Sequence, residues 1–401
     1  MGRPGTRPGW TEAEPTTLIL RHEIRRMPKR ADLFTRALAG DLGEKPAAER
    51  RRFAVKHPLA FAMTPIIRNL VPLQGTRENR GGKGNETANA QAVKALAYYL
   101  GVDLAGICRA EPWMYYSHDD EKGEPIEPYH PNAVVMLIDQ GFETMEGASG
   151  DDWISGAQSM RAYMRGALLA GIMSSHLRRL GWSSRVHSNA YSEVLHIPAV
   201  LMAGLGEIDF GLQATCQMCL KCARECPCNA IPFGSKVMFN GYEIWKPDVE
   251  KCGRYRLTNA NGSACGRRMK TCPYNREDLV ESERLLWLSI EVPQSRRALI
   301  DYDDAVGGGA RNPVKRWWLD LEIVGGVAVK PKGANERDLS PGWDEKLAKG
   351  QKLAFFPPEL HPAGGTTLKT VVPIDRQAGL AAYAAAEAPV AARKRVRKEK
   401  S

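Results

Sequence analysis

Cys216-Gln-Met-Cys219-Leu-Lys-Cys222-Ala-Arg-Glu-Cys226-Pro227 has the C-x2-C-x2-C-x3-C-P spacing that a cubane iron–sulfur cluster requires. The first three thiolates can surround one cluster, and the fourth, directed away by Pro227, can reach a second one. Zinc is the alternative, but zinc sites space two cysteine pairs apart and have no use for C-x3-C-P. The run therefore predicts a ferredoxin-like fold and a protein that transfers single electrons.

A second cysteine group lies downstream, where Cys252 is followed after twelve residues by Cys265 and after six more by Cys272-Pro273. In two-cluster ferredoxins the last cysteine of each run binds the cluster of the other run. This crossed ligation assigns the first cluster to Cys216, Cys219, Cys222 and Cys272. It assigns the second cluster to Cys226, Cys252 and Cys265, which is one thiolate too few.

Arg268 stands where the downstream run would have its missing cysteine. Arginine is a poor metal ligand because it is a permanent cation with no lone pair to offer. The second cluster is then a three-iron cluster, a four-iron cluster with a non-cysteine ligand, or absent. Cys228 is either a substitute ligand or a small buried residue, and we favour the second because free cysteine packs as a small hydrophobe.

Composition places the chain among soluble cytoplasmic proteins. It has 401 residues, 43% of them hydrophobic and 25% charged, and its cysteines are clustered as in metal sites of a reducing compartment. No stretch is apolar enough to predict a transmembrane helix, and no hydrophobic region follows Arg25-Arg26, as an export signal would need. The net charge of +10 favours a solvated basic tail over nucleic-acid binding, although an acidic electron donor would use the same field.

Helical and strand patterns divide the chain further. A helix is predicted from Glu86 to Leu100 and another from Ser159 to Leu180, with buried strands at Leu104–Cys108 and Ala133–Ile138. A further helix is predicted at Val194–Gly204. The predicted organisation, of mixed α+β or α/β class, is an irregular N-terminal arm with short helices over 1–85, an α/β domain over 86–210, a ferredoxin-like two-cluster domain over 211–278, a packing segment over 279–330, and an extended, partly disordered basic tail over 331–401.

The α/β module followed directly by a two-cluster ferredoxin resembles the reductive dehalogenase family. The similarity runs from about Leu100 to Asp320 and includes these motifs: Trp113-Met-Tyr-Tyr-Ser117, Leu180-Gly-Trp182, Gly204-Leu-Gly-Glu207, Trp245-Lys-Pro-Asp248, Cys272-Pro-Tyr-Asn275 and Trp317-Trp318. The resemblance implies a nitroreductase-like cobalamin-binding domain that receives electrons through two four-iron clusters. Without an export signal, the chain is more similar to the cytoplasmic, catabolic branch of the family than to the exported respiratory one.

The resemblance also implies site residues. Gly204, Gly206 and Glu207 are expected to bind cobalamin. Tyr163 is the candidate proton donor, because in this family a tyrosine starts the helix that leads to a Leu-Gly-aromatic sequence, and a nearby Arg or Lys favours its phenolate. Its alternative role is that of a core tyrosine, with Tyr115 and Tyr116 as other candidate donors. Asn189 is expected to line the substrate pocket, or else to cap a turn.

The implied activity is reductive removal of halide from a halogenated aromatic, such as a halophenol. The electron donor is expected to be a ferredoxin or an NAD(P)H-dependent reductase, because no G-x-G-x-x-G nucleotide fingerprint opens a βαβ unit here. Only Ile208 to Thr215 separate the Gly-Leu-Gly-Glu motif from the first cluster cysteine, whereas the family has tens of residues there. The alternatives are a reductase similar to the related epoxyqueuosine reductases and an electron-transfer paralogue with an impaired active site.

Overall fold

The protein mixes helices with short antiparallel strands. It is described here from a computed structural model that covers residues 17–51, 56–70, 84–141, 153–187, 193, 212–259, 265–274, 288–289, 291–309, 321–331, 350–362 and 375–399. The helices within those residues are α1 Leu33–Leu38, α2 Glu44–Ala48, α3 Pro58–Leu70, α4 Glu86–Tyr99, α5 Ile154–Arg179, α6 Leu212–Cys219, α7 Lys221–Arg224, α8 Val249–Thr258, α9 Arg267–Thr271, α10 Arg296–Ala305, α11 Arg376–Ala384 and α12 Pro389–Glu399. The strands are β1 Leu104–Arg109, β2 Asn132–Leu137, β3 Val237–Phe239, β4 Tyr242–Ile244, β5 Glu322–Val324 and β6 Val327–Val329.

The long helix α5 organises the first core. It packs along α3. Apolar side chains from α1, α3, α5, α8 and the turn after α1 form one buried cluster, which contains Ala37, Leu42, Ala60, Ile67, Ile154, Ala157, Met160 and Leu257. Leu257 belongs to the helix that carries Cys252. The cysteine region and α5 therefore share one hydrophobic core, whose burial is the dominant favourable contribution to folding.

The helix α4 and the β1–β2 hairpin form a second core on the same helix. Asn85 caps α4 by accepting hydrogen bonds from Thr87 N and Ala88 N, and Gly101 ends the helix at a φ of 89°, a conformation that glycine adopts without steric cost. The cluster joins Ala97 and Val102 to Leu169 and Met173 of α5. The strands pair antiparallel, with Leu104 opposite Leu137.

The β3–β4 hairpin binds the N-terminal arm. Asn240 and Gly241, with φ values of 48° and 84°, form the two-residue Asn-Gly turn that such hairpins prefer. Gly241 O accepts a hydrogen bond from Leu20 N at 2.7 Å. An added Cβ at Gly241 would lie 2.9 Å from the backbone of the arm, so only glycine permits this close approach.

The C-terminal segment packs against the same hairpin. The ring of Phe355 lies 4.9 Å from that of Phe239 on β3 and 5.0 Å from that of Tyr383 on α11. Arg393 of α12 pairs with Glu243 of β4 at 2.6 Å. Instead of the extended tail that its composition predicts, this segment contains two helices and an aromatic cluster in its described part.

The predicted helices and strands agree with the structure to different degrees. The helix predicted at Glu86–Leu100 is confirmed, whereas the one predicted from Ser159 begins earlier, at Ile154. Leu104–Cys108 and Ala133–Ile138 are strands, but the prediction that they are buried is wrong, because their residues alternate between exposed and half-buried. Such alternation is expected of an antiparallel pair that has one face on the core and the other toward solvent. The predicted helix at Val194–Gly204 lies outside the described residues.

A membrane-crossing helix was not expected from the sequence. Among the described residues, no helix has both the length and the apolar character needed to span a bilayer.

Candidate metal centre

The first cysteine group is built from three helices of the cluster region. Cys216 and Cys219 lie on α6, Cys222 lies on α7, and Cys272 directly follows α9. Leu220 has a left-handed φ of 51°, which separates α6 from α7 and turns Cys222 back toward the pair before it. Burial raises the pKa of Cys272 to about 12, and the neighbouring thiols of Cys222, Cys216 and Cys219 contribute to the rise. The four sulfurs predicted to share one cluster are therefore neighbours.

The second cysteine group gathers around the loop that follows α7. Burial raises the pKa of Cys265 to about 11, and the thiols of Cys252 and Cys226 contribute. Cys228 belongs to the same group, because the Sγ atoms of Cys226 and Cys228 lie 3.8 Å apart. The thiols of Cys252 and Cys265 also contribute to a raised pKa of the Cys228 thiol. The structure thus brings together the three predicted cysteines and a fourth one.

The loop around Cys226 is suited to an anionic group. Ala230 N donates to Cys226 Sγ at 3.3 Å. A hydrogen bond from Cys228 is the main cause that lowers the pKa of Cys226 to about 6; burial opposes it, and the backbone N–H groups of Ala230, Cys228 and Ile231 assist it. Concave sets of backbone N–H groups of this kind occur at iron–sulfur sites, and the thiolate is the form of cysteine that binds metal.

A single metal ion fits the described residues less well. Within the described ranges, no group of three or more His, Cys, Asp or Glu side chains is arranged to hold one ion. A zinc site would need four ligand atoms at about 2.0–2.3 Å from a common centre, whereas a cluster holds its cysteines apart on separate irons. The two cysteine groups are therefore compatible with clusters.

Arg268 lies between the two groups. Burial raises the pKa of the Cys222 thiol in the first group and of the Cys252 thiol in the second, and the guanidinium of Arg268 opposes both shifts. The backbone carbonyl of Arg268 lies 3.8 Å from Cys222 Sγ. Its neighbour Arg267 is buried and pairs with Glu225 at 2.5 Å. Arginine at position 268 thus places a fixed positive charge between two sites that would become strongly negative.

Tyr163 lies on α5 at the edge of the first core, where it packs against the buried cluster. Burial raises the pKa of its phenol, Arg256 lowers that pKa, and Asp32 raises it. Arg256 is on α8, one helical turn from Cys252. The candidate proton donor is therefore close to a cation of the helix that carries a second-group cysteine.

The other predicted site residues have different positions. Tyr115 and Tyr116 are buried, and their backbone carbonyls accept hydrogen bonds from Arg26, Tyr115 O at 3.3 Å and Tyr116 O at 2.5 Å. These backbone contacts anchor the N-terminal arm, and the two tyrosines stay alternative candidates for the proton donor. Asn189, Gly204, Gly206 and Glu207 lie outside the described residues, as do residues 208–211 of the short connection.

Sequence reasoning missed two residues that support the second group. Asp248 is fully buried and accepts hydrogen bonds from Lys251 N at 3.0 Å, Ala354 N at 3.1 Å and Arg376 Nη2 at 2.8 Å. Its position just before α8 is an N-cap signal that the sequence does contain. Gln351 had no such signal, because its partners are distant in the chain.

Gln351 fixes the loop that follows Cys228. Its Nε2 donates to Asn229 Oδ1 at 3.0 Å and to Ile231 O at 2.7 Å. Its Oε1 accepts from Phe233 N at 3.2 Å. A single side chain of the C-terminal segment therefore satisfies several polar groups of this loop.

The chain is similar to known dehalogenases in sequence and in structure. No protein-family model matches it. It is 59% identical to the catabolic reductive dehalogenase NpRdhA, solved in complex with 3-bromo-4-hydroxybenzoic acid, with a TM-score of 0.89 over 96% of this chain and 61% of that one. It is 58% identical, with a TM-score of 0.90 over 97% of this chain and 62% of that one, to a structure described as a reductive dehalogenase that suggests a mechanism for B12-dependent dehalogenation.

A curated relative gives the same assignment at lower similarity. The tetrachloroethene reductive dehalogenase of Dehalobacter restrictus is 24% identical over 280 residues, which are 56% of this chain and 48% of that protein. The chain thus spans less than two thirds of the length of each of these three relatives. The similarity to the two solved reductive dehalogenase structures extends over nearly all of this chain and over 61% and 62% of theirs.

Proposed function

We propose that this protein is a reductive dehalogenase that receives electrons through two iron–sulfur clusters. In the proposed reaction, a carbon–halogen bond is replaced by carbon–hydrogen: the substrate takes up two electrons and one proton and releases halide. The observation that carries the proposal is the pair of cysteine groups, held by one core within a chain that is 59% identical to a catabolic reductive dehalogenase. The electron donor would be a ferredoxin or an NAD(P)H-dependent reductase in the cytoplasm.

The proposed domains follow from the same likeness. Residues 86–210 would form the nitroreductase-like cobalamin-binding domain and residues 211–278 the ferredoxin-like domain. Cobalamin, when bound, would supply low-potential cobalt chemistry that the clusters sustain. Gly204, Gly206 and Glu207 are proposed to hold it and Asn189 to line the substrate pocket, on resemblance alone.

Tyr163 is the proposed proton donor. Its phenol is held in a dry environment, which keeps it protonated until a proton is required. Arg256 would favour the phenolate left after the transfer, because an opposite charge stabilises the ionised form. The chain thus supplies both the proton and the charge that would compensate for its loss.

The proposed substrate is a halogenated aromatic, in particular a halophenol. NpRdhA was solved with 3-bromo-4-hydroxybenzoic acid, a phenol with bromine beside the hydroxyl group. A cluster-bearing electron carrier without dehalogenation is the second candidate. The short connection between Glu207 and Cys216 supports it, because that connection leaves few residues to enclose a large cofactor.

Cofactor content and turnover together test the proposal. The protein would be reconstituted without oxygen with iron, sulfide and hydroxocobalamin, and iron and cobalt per chain would be measured before the reduced protein is given 3-bromo-4-hydroxybenzoate. We expect two clusters, one cobalt and release of bromide. Clusters without cobalt or bromide release would instead support the electron carrier.

Tyr163→Phe tests the proton donor within the same assay. We expect bromide release to fall by about 10²-fold or more, as for loss of a general acid, with iron and cobalt content unchanged. Tyr98→Phe, on the exposed face of α4, is the matched control and should retain turnover. Full activity of Tyr163→Phe would exclude the tyrosine as donor.

A further inference from the structure

We propose that Cys228 is the fourth ligand of the second iron–sulfur cluster, in place of the cysteine that Arg268 replaces. The inference rests on the proposed function, since it requires that the cysteine groups bind clusters. It revises the sequence-based preference for Cys228 as a small buried residue.

The position of Cys228 supports ligation over simple packing. Its sulfur lies 3.8 Å from that of Cys226, and the thiols of Cys252 and Cys265 are near enough to influence it electrostatically. A cluster would hold the sulfurs of Cys226 and Cys228 farther apart, on separate irons, so ligation requires the two side chains to rotate out of this contact. A cysteine that only filled space would be surrounded by apolar side chains. The sulfur of Cys228 instead contacts that of Cys226, which the crossed arrangement assigns to the cluster that lacks one ligand.

The local backbone explains how a residue so close to Cys226 can reach the same site. The chain turns after α7: Asn229 N donates to Cys226 O at 3.2 Å, and Asn229 has a left-handed φ of 51°. Pro227 limits the backbone between the two cysteines to one φ. Both thiols therefore project from one tight turn.

The turn is held from two sides, as a ligand-bearing loop requires. Ala230 O accepts a hydrogen bond from Asp248 N at 2.8 Å, which links the turn to the start of the helix that carries Cys252. Gln351 binds the residues that follow, at Asn229 and Ile231. Cys228 is thus fixed relative to Cys252 by hydrogen bonds that do not depend on metal.

The positive charge of Arg268 complements Cys228 as the replacement ligand. Its guanidinium is near thiols of both groups and it cannot itself bind iron. Two clusters with four thiolates each carry more negative charge than a site with a missing ligand. The added cation would offset part of the charge that a fourth thiolate brings.

The test compares the wild type with Cys228→Ala after anaerobic reconstitution, by iron and sulfide content and by electron spin resonance before and after mild oxidation. We expect about eight irons in the wild type, stable to oxidation, as two four-iron clusters require. Cys228→Ala should lose about one iron in eight on oxidation and gain the signal of a three-iron cluster. Cys108→Ala, which removes an exposed cysteine on β1, should behave as the wild type.

A rescue variant makes the test independent of folding defects. Cys228→Ala combined with Arg268→Cys restores the regular spacing and should regain about eight irons and the four-iron signal. The inference is overturned if Cys228→Ala matches the wild type, or if thiol labelling shows a Cys226–Cys228 disulfide in the loaded protein. A wild type with only about four irons would overturn this inference and leave the first cluster intact, whereas a wild type without iron would contradict the proposed function itself.

Discussion

The two cysteine groups differ in how the chain positions their sulfurs. The first is almost entirely local, because Cys216, Cys219 and Cys222 lie within seven residues of one another on two successive helices. The second draws on the turn after α7, on α8 and on Cys265, two residues before α9, and it depends on Asp248 and Gln351 for its shape. The comparison teaches that a regular motif carries its own geometry, whereas an irregular one takes its geometry from the surrounding fold.

The largest expected difference comes from removing one ligand of the first group. Cys219→Ala should abolish electron transfer and lose up to about four irons per chain, since the remaining ligands hold that cluster poorly. The second group should keep its cluster, because its support lies elsewhere. Iron content and low-temperature spin resonance would measure both. Equal loss of the two clusters would show that the groups do not assemble separately.

Asp248→Ala should act on the second group through the fold. It removes a helix cap and one partner of a buried ion pair, so we expect unfolding to become easier by about 3 kcal/mol, as measured by denaturant titration of the protein without iron. Asp375→Ala, which removes an exposed cap of α11, should cost only about 1 kcal/mol. Similar costs for the two variants would contradict the central role of Asp248.

Gln351→Ala should destabilise the protein less than Asp248→Ala does, and mainly at the turn that carries Cys228. Loss of its hydrogen bonds to Asn229 and Ile231 should cost about 1–2 kcal/mol. Iron should leave the second group faster under chelator, while release from the first group stays unchanged. Glu359→Ala, in an exposed pair with Arg25, serves as the control from the same segment. Uniform acceleration at both groups would mean that the turn is not specifically affected.

The smallest effect is expected from the charge between the groups. Arg268→Gln should lower the midpoint potentials of both clusters by an amount on the order of tens of millivolts, because a nearby cation favours the more negative, reduced state. A spectroscopic redox titration would measure the shift. Arg297→Gln, whose exposed pair with Asp301 lies on α10, should leave both potentials in place. A shift confined to one cluster would place Arg268 nearer to that group.

The sequence could predict what is local. The spacing of the first cysteine run and the crossed sharing of Cys272 and Cys226 anticipate which sulfurs are neighbours, and the family resemblance is confirmed by the comparisons. The helix α4 is also predictable, since its apolar periodicity ends at Gly101.

What the sequence could not predict depends on contacts between distant residues. The sequence leaves open whether Cys228 is a substitute ligand or a small buried residue, and only folding brings it near Cys252 and Cys265. The tail has an Ala- and Lys-rich composition typical of solvated chain, yet Phe355 and Tyr383 pack on Phe239 of β3. Composition averages over such single anchoring residues, so it misses them.

The contacts of Gln351 have a consequence for synthesis on the ribosome. The residues it fixes, such as Asn229, emerge about 120 positions earlier in the chain, and a ribosome adds about 5–20 residues each second. The first group is chemically complete once Cys272 has emerged, while the turn at Cys228 must wait for the tail. During that interval the nascent chain holds one finished metal-binding group and one loose set of thiols exposed to oxidation. Iron delivery is therefore expected to proceed in two stages, with the second gated by completion of the polypeptide.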